Sequence, residues 1–104
     1  MNQQIKQQWV EALRSGTYRQ CQDHMHKRDT FCVLGVLCDI YMQARSQHWE
    51  QNHELYSYGG LYGTPPLRVQ QWAGIHNRDM VAVQSRNDNG MPFHKLADWI
   101  DVNL

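Results

Sequence analysis

The chain has 104 residues, a length that one folding unit ordinarily fills, so a single domain over residues 1–104 is expected. Ten Lys and Arg side chains balance ten Asp and Glu side chains, which argues against a generic nucleic-acid binder because phosphates demand a surplus of cations. The longest apolar run, residues 31–38, is far shorter than the roughly 20 residues that span a bilayer. No membrane association is therefore predicted.

The first predicted helix covers residues 2–14. Ile5, Trp9 and Leu13 recur every four residues, which places them on one stripe of a helix. Gly16 follows the pattern, and glycine is typical of a helix end because it adopts positive φ without a steric clash.

An extended segment and a central helix are predicted next. Residues 17–30 lack a helical period, and Gln22-Asp23 could form the turn of a short polar hairpin. Residues 31–45 are apolar around most of a helical circumference and contain no proline, which predicts a buried helix. Asp29 or Thr30 is expected to cap it.

The second half of the chain is predicted to mix loop, helix and strand. Residues 46–64 show no sustained period and predict a long loop that could hold one short strand. Thr64-Pro65-Pro66 is typical of a helix start and Gly74 of a helix end. Val81 and Val83 alternate within residues 79–85, which predicts a strand, and residues 87–90 predict a turn.

A last helix is predicted over residues 92–103, with Pro92 at its first helical position, so that it runs almost to the final residue. The fold class is therefore α+β, a small single domain with about four helices, a short β-hairpin and one or two further strands. The expected core side chains are Trp9, Leu34, Leu37, Trp72, Phe93 and Ile100.

Cysteine and histidine raise two chemical possibilities. Cys21, His24, His26, Cys32 and Cys38 carry atoms that suit zinc, but the last two, six residues apart on a helix, point apart, so no metal site is predicted. Cys32 would lie in the first turn of the central helix, where a thiolate is favoured, yet its neighbours are apolar and favour a core thiol.

Motifs for phosphate, dinucleotide or nucleophile-elbow chemistry are absent from the sequence. We therefore expect no cofactor and a non-enzymatic role. A small Cys/His-dependent hydrolase or transferase is the alternative, and a nucleic-acid-binding regulator is a further one.

Two groups of residues are predicted to bind a ligand or partner. Arg14, Tyr18 and Gln20 lie where the first helix meets the extended segment, and could hold a small anion by stacking and charge-assisted hydrogen bonds. The second group is in the loop, where tyrosines offer large contact area with few rotors, and comprises Tyr56, Tyr58 and Tyr62. The alternative for both groups is structural, as junction hydrogen bonds and an ordered cover over the core.

Four segments resemble a family of small uncharacterised proteins of tailed bacteriophages and prophages. They are W-V-E-A-L-R-S-G-T-Y-R-Q (residues 9–20), F-C-V-L-G-V-L-C-D (31–39), L-x-V-x-x-W-A-G (67–74) and N-D-x-G-x-x-F-x-x-L-A-D-x-I (87–100). After Gln20, where the family carries Gly-rich and basic residues, this chain has Cys21-Gln22-Asp23-His24.

The resemblance implies an accessory protein that acts by binding in the host cytoplasm. Its expected target is a host or defence component, or the small nucleotide signal of such a component. A homo-oligomer is left open.

Overall fold

Five helices form where the apolar residues recur at helical spacing. In the computed structural model, which describes all 104 residues, the first is α1 (Gln3–Arg14), and the Asn2 side chain caps it by accepting from the Ile5 N–H at 3.0 Å. The others are α2 (Val33–Gln43), α3 (Leu67–Ala73), α4 (Asn77–Asp88) and α5 (Phe93–Asn103). None of these helices is long and apolar enough to cross a membrane.

Five very short strands make one mixed sheet. They are β1 (Arg19–Gln20), β2 (His26–Lys27), β3 (Thr30–Phe31), β4 (Glu50–Asn52) and β5 (Leu55–Ser57). The spatial order is β1-β3-β2-β5-β4, with β1 parallel to β3 and the other neighbours antiparallel. Because each strand has only two or three residues, the sheet depends on packing against the helices more than on its own ladder.

Helix α2 is the centre of the core. Nine of its eleven residues are buried, and α1, α4 and β3 all contact it. Trp9 on α1 is fully buried, and its indole Nε1 donates to the Val33 carbonyl at 2.9 Å. The expected core is confirmed for five of its six members, whereas Trp72 is only half-buried against it. The fold is thus a single α+β domain, as the sequence predicts.

The strand predicted over residues 79–85 is wrong, because these residues belong to α4. Met80, Val83 and Asn87 are buried at positions i, i+3 and i+7, which is a helical spacing, and Val81 is 56% exposed. Two alternating valines are too short a pattern to indicate a strand when the buried residues around them recur at helical spacing. The predicted turn at 87–90 also starts later, since α4 continues through Asp88.

The predicted hairpin turn at Gln22-Asp23 is also wrong. Strand β1 pairs in parallel with β3, and the hairpin joins β2 to β3 through the turn at Arg28, where φ is +53°. The Asp23 N–H instead donates to the Asp88 carboxylate at 3.0 Å, so a tertiary contact shapes this segment.

Three boundaries differ from the sequence-based ones. Helix α2 starts at Val33 and its N-cap is Cys32, whose Sγ accepts from the Gly35 N–H at 3.4 Å. The expected caps Asp29 and Thr30 belong to the β2–β3 hairpin instead, Asp29 in its turn and Thr30 on β3. Helix α3 begins at Leu67, so Pro66 rather than Thr64 occupies the N-cap position, and it makes no side-chain cap hydrogen bond. The expected loop at 46–64 contains the β4–β5 hairpin, because both strands pair where only one was expected.

Candidate interaction surface

Asp39 on α2 is a buried carboxylate at the centre of a hydrogen-bond network. Its Oδ2 accepts from the Tyr18 hydroxyl at 2.5 Å and from Gln43 Nε2 at 2.7 Å, and its Oδ1 accepts from Trp49 Nε1 at 3.0 Å. Three donors offset the cost of burying the charge. Burial and the facing carboxylate raise the pKa of Tyr18, so its hydroxyl stays protonated and donates. The network therefore connects the segments just before β1 and just before β4 to α2.

His26 on β2 lies inside an aromatic stack that crosses the sheet. Its ring centroid is 3.9 Å from that of Phe31 on β3 and 4.0 Å from that of Tyr56 on β5, and both pairs are stacked. Nδ1 lies 2.8 Å from the Thr30 carbonyl, which fits a neutral ring that donates from this nitrogen. Burial lowers the pKa of His26, against the opposing effects of that hydrogen bond and of the Asp39 charge. The sequence analysis considers His26 only as a possible zinc ligand and does not predict this buried stack.

The three thiols lie in environments that keep them protonated. Burial raises the pKa of Cys32 to about 12 and also raises that of Cys38. Cys21 is half-buried, its Sγ lies 3.3 Å from the His24 carbonyl, and burial raises its pKa as well. Because the thiolate is the nucleophile, burial lowers the reactivity expected of these thiols. No group of three or more His, Cys, Asp or Glu side chains is arranged to hold a metal ion.

The side chains of the predicted junction group point to three different partners. Arg14 forms an ion pair with Asp98 on α5 at 2.8 Å, and Tyr18 donates to Asp39. Gln20 Nε2 donates to Asn87 Oδ1 at 2.9 Å and to the Met91 carbonyl at 2.8 Å. The three residues therefore do not converge on one cavity.

Two of the three loop tyrosines join Tyr18 in a single aromatic cluster. Tyr56 stacks on His26, and Tyr58 lies 6.4 Å from Trp49, measured between ring centroids. Tyr62 lies outside this cluster; its hydroxyl accepts from Asn52 Nδ2 at 3.3 Å, and its carbonyl accepts from the Met25 N–H. The structure thus connects the two predicted groups through Tyr18, and places Arg14, Gln20 and Tyr62 apart.

Residues 58–68, termed here the 58–68 segment, expose apolar and cationic side chains. Leu61 is 41% and Leu67 64% exposed, and they are two of the four large apolar side chains exposed on the molecule. Gly59 and Gly60, with φ of +60° and +78°, form the tight turn that pairs Tyr58 with Leu61.

Arg68 lies against Tyr58 in this segment. Its guanidinium carbon is 4.6 Å from the ring centroid, and its Nε donates to the Tyr58 hydroxyl at 3.1 Å. That hydroxyl in turn donates to Gln47 Oε1. The hydrogen bond to Tyr58 raises the pKa of Arg68, and none of the four ion pairs of the chain involves this guanidinium.

Sequence reasoning missed Leu61, Leu67 and Arg68. The Gly59-Gly60 pair was the signal that could have found this turn, since two adjacent glycines are typical of two-residue hairpin turns.

Over residues 1–104 the chain matches the model of a domain of unknown function, DUF8296, and belongs to that family. No curated protein and no solved structure matches it. The family description assigns no activity, so the functional argument depends on the geometry of the chain itself.

Proposed function

We propose that this member of the DUF8296 family acts by binding a partner protein through the 58–68 segment and catalyses no reaction. The observation that carries the proposal is the combination of exposed Leu61 and Leu67 with a guanidinium, Arg68, that has no carboxylate partner in the chain. Buried aromatic and arginine anchors carry most of the energy of protein interfaces. Tyr58 already orients Arg68, so less entropy is lost when the partner binds.

The chemistry of the segment indicates what the partner presents. A carboxylate opposite Arg68 would form the bidentate pair that the chain does not provide, and apolar side chains beside it would cover Leu61 and Leu67. The Asp39 network and the aromatic stack support this role, because they fix the neighbouring β4–β5 hairpin on the core.

The motifs in residues 9–20 and 31–39 support a phage setting for the proposal. In that setting the protein is an accessory factor in the host cytoplasm, and its partner is a host or defence component. The protonated thiols give the alternative, a Cys/His-dependent hydrolase or transferase, less support.

The proposal is tested by quantitative capture from a lysate of the host cells, with mass spectrometry of the retained proteins. We expect at least one protein to be retained by the wild type and to fall about tenfold or more with Leu67→Asp and with Arg68→Glu. Val102→Asp on α5 and Arg78→Glu on α4 introduce the same changes at exposed positions elsewhere, and should leave the capture unchanged. Equal capture by all variants, or none by the wild type, would contradict the proposal.

A further inference from the structure

A cleft separate from the 58–68 segment lies between α1, α2 and α3. It is a shallow cleft, open to solvent, with a volume of about 510 Å³. Arg45 contributes the only charged side chain, and no carboxylate lines the cleft. The other lining side chains include Asn2, Gln4, Ile5, Gln8 and Trp72. A cleft that pairs one cation with amides and an indole favours an anionic ligand that also carries a planar ring.

Arg45 is held in place by aromatic rings, with its charge left unpaired. Its guanidinium carbon is 3.8 Å from the ring centroid of Tyr41 and 5.5 Å from that of Trp72. Its hydrogen bond within the chain runs from Nη1 to the Tyr41 carbonyl at 3.1 Å, and no ion pair involves it. The remaining N–H groups of the planar guanidinium point in fixed directions and can donate two parallel hydrogen bonds to a phosphate.

Gln4 and Gln8 supply hydrogen-bonding groups on the α1 side of the cleft. They lie four residues apart on α1, so both amides belong to one helix face, and neither side chain is hydrogen-bonded within the chain. A glutamine amide offers a donor and an acceptor together, which matches the edge of a nucleobase. Trp72 is half-buried and lines the cleft beside Arg45, so a base held there would contact the indole.

We infer that this cleft binds a mononucleotide, with its phosphate at Arg45 and its base beside Trp72, Gln4 and Gln8. The cleft shares no residue with the 58–68 segment. The inference therefore holds or fails independently of the proposed partner binding.

Isothermal titration calorimetry tests the inference with AMP, GMP, CMP and UMP, together with the four nucleosides and inorganic phosphate. We expect at least one mononucleotide to bind at least tenfold more tightly than its nucleoside and than phosphate alone. Arg45→Gln removes the cation and should weaken that binding tenfold or more. Circular dichroism and partner capture should both remain as in the wild type for this exposed residue.

A matched pair of α1 variants distinguishes a substitution inside the cleft from the same substitution elsewhere on the helix. Gln8→Glu puts a negative charge into the cleft where the base is proposed to lie, and should reduce affinity for the anionic nucleotide tenfold or more. Gln7→Glu makes the same change outside the cleft and should stay within twofold. The inference is overturned if no mononucleotide binds, or if Arg45→Gln and Gln8→Glu bind like the wild type. A nucleoside or phosphate that binds as tightly as the nucleotide would equally overturn it.

Discussion

Gly35 sets how closely α2 approaches the chain that leads into β2. A Cβ atom at this position would lie 1.9 Å from the Met25 carbonyl oxygen, far inside van der Waals contact. The same carbonyl accepts from the Cys32 N–H at 3.0 Å, so it is held in place. The absence of one side chain therefore positions β2, and with it His26, against the central helix.

Replacing Gly35 with alanine should lower the free energy of unfolding by about 3 kcal/mol, because the atom it meets is backbone and cannot move aside. Gly63→Ala is the matched control, since a Cβ there meets no atom within 4 Å. That variant should stay within about 0.5 kcal/mol of the wild type. Urea denaturation measures both, and equal midpoints for the two variants would show that Gly35 is not a close contact.

Asn87 shows what sequence spacing could not reveal about a single side chain. It is fully buried, and its Oδ1 accepts from Gln20 Nε2 and from the Val33 N–H, while its Nδ2 donates to the Cys21 carbonyl. The sequence grouped Gln20 with Arg14 and Tyr18 because they are close along the chain. The partner that orients Gln20 is 67 residues away, which only the folded chain brings near.

The helices with strong apolar stripes were predictable, and the weakly patterned elements were not. Helices α1 and α5 each bury a regular stripe, and α2 is buried around most of its circumference, so their apolar patterns appear in the sequence. Helix α4 buries only three residues, one of them an asparagine, and its period was therefore hidden. Strands of two or three residues are too short to show alternation, and the parallel pairing of β1 with β3 depends on tertiary contacts.

The aromatic stack across β3, β2 and β5 should make stability depend on pH. His26 has a lowered pKa when folded and regains about 6.5 on unfolding, so the unfolded chain binds the proton more tightly. The free energy of unfolding should fall as the pH drops from about 7 towards the lowered pKa. Asp39 and Asp29 oppose this effect but do not outweigh burial.

Denaturant unfolding between pH 7 and about 5, above the usual range of carboxyl titration, measures this dependence. His26→Phe keeps an aromatic ring in the stack and removes the titrating group, so its stability should vary less with pH. His94→Gln, at an exposed position on α5, serves as the control and should retain the dependence of the wild type. An identical slope for His26→Phe and the wild type would exclude His26 as its source.

The molecule as a whole has a packed core that carries two guanidiniums without carboxylate partners, Arg45 in the cleft and Arg68 in the 58–68 segment. The chain has no net charge, and neither Arg45 nor Arg68 takes part in any of its four ion pairs. Both of these guanidiniums lie over tyrosines of the core, Tyr41 and Tyr58, whose ring centroids are 6.3 Å apart. Both guanidiniums are therefore oriented before any ligand or partner binds, as the proposed recognition role requires.

Hydrogen exchange of the protein with and without its captured partner tests partner binding most directly, because it locates the interface on the chain. We predict slower amide exchange within residues 58–68 in the complex, with the outer face of α5 unchanged, and no such protection for Arg68→Glu at the same partner concentration. Protection confined to α4 and α5, with residues 58–68 exchanging as in the free protein, would contradict the account.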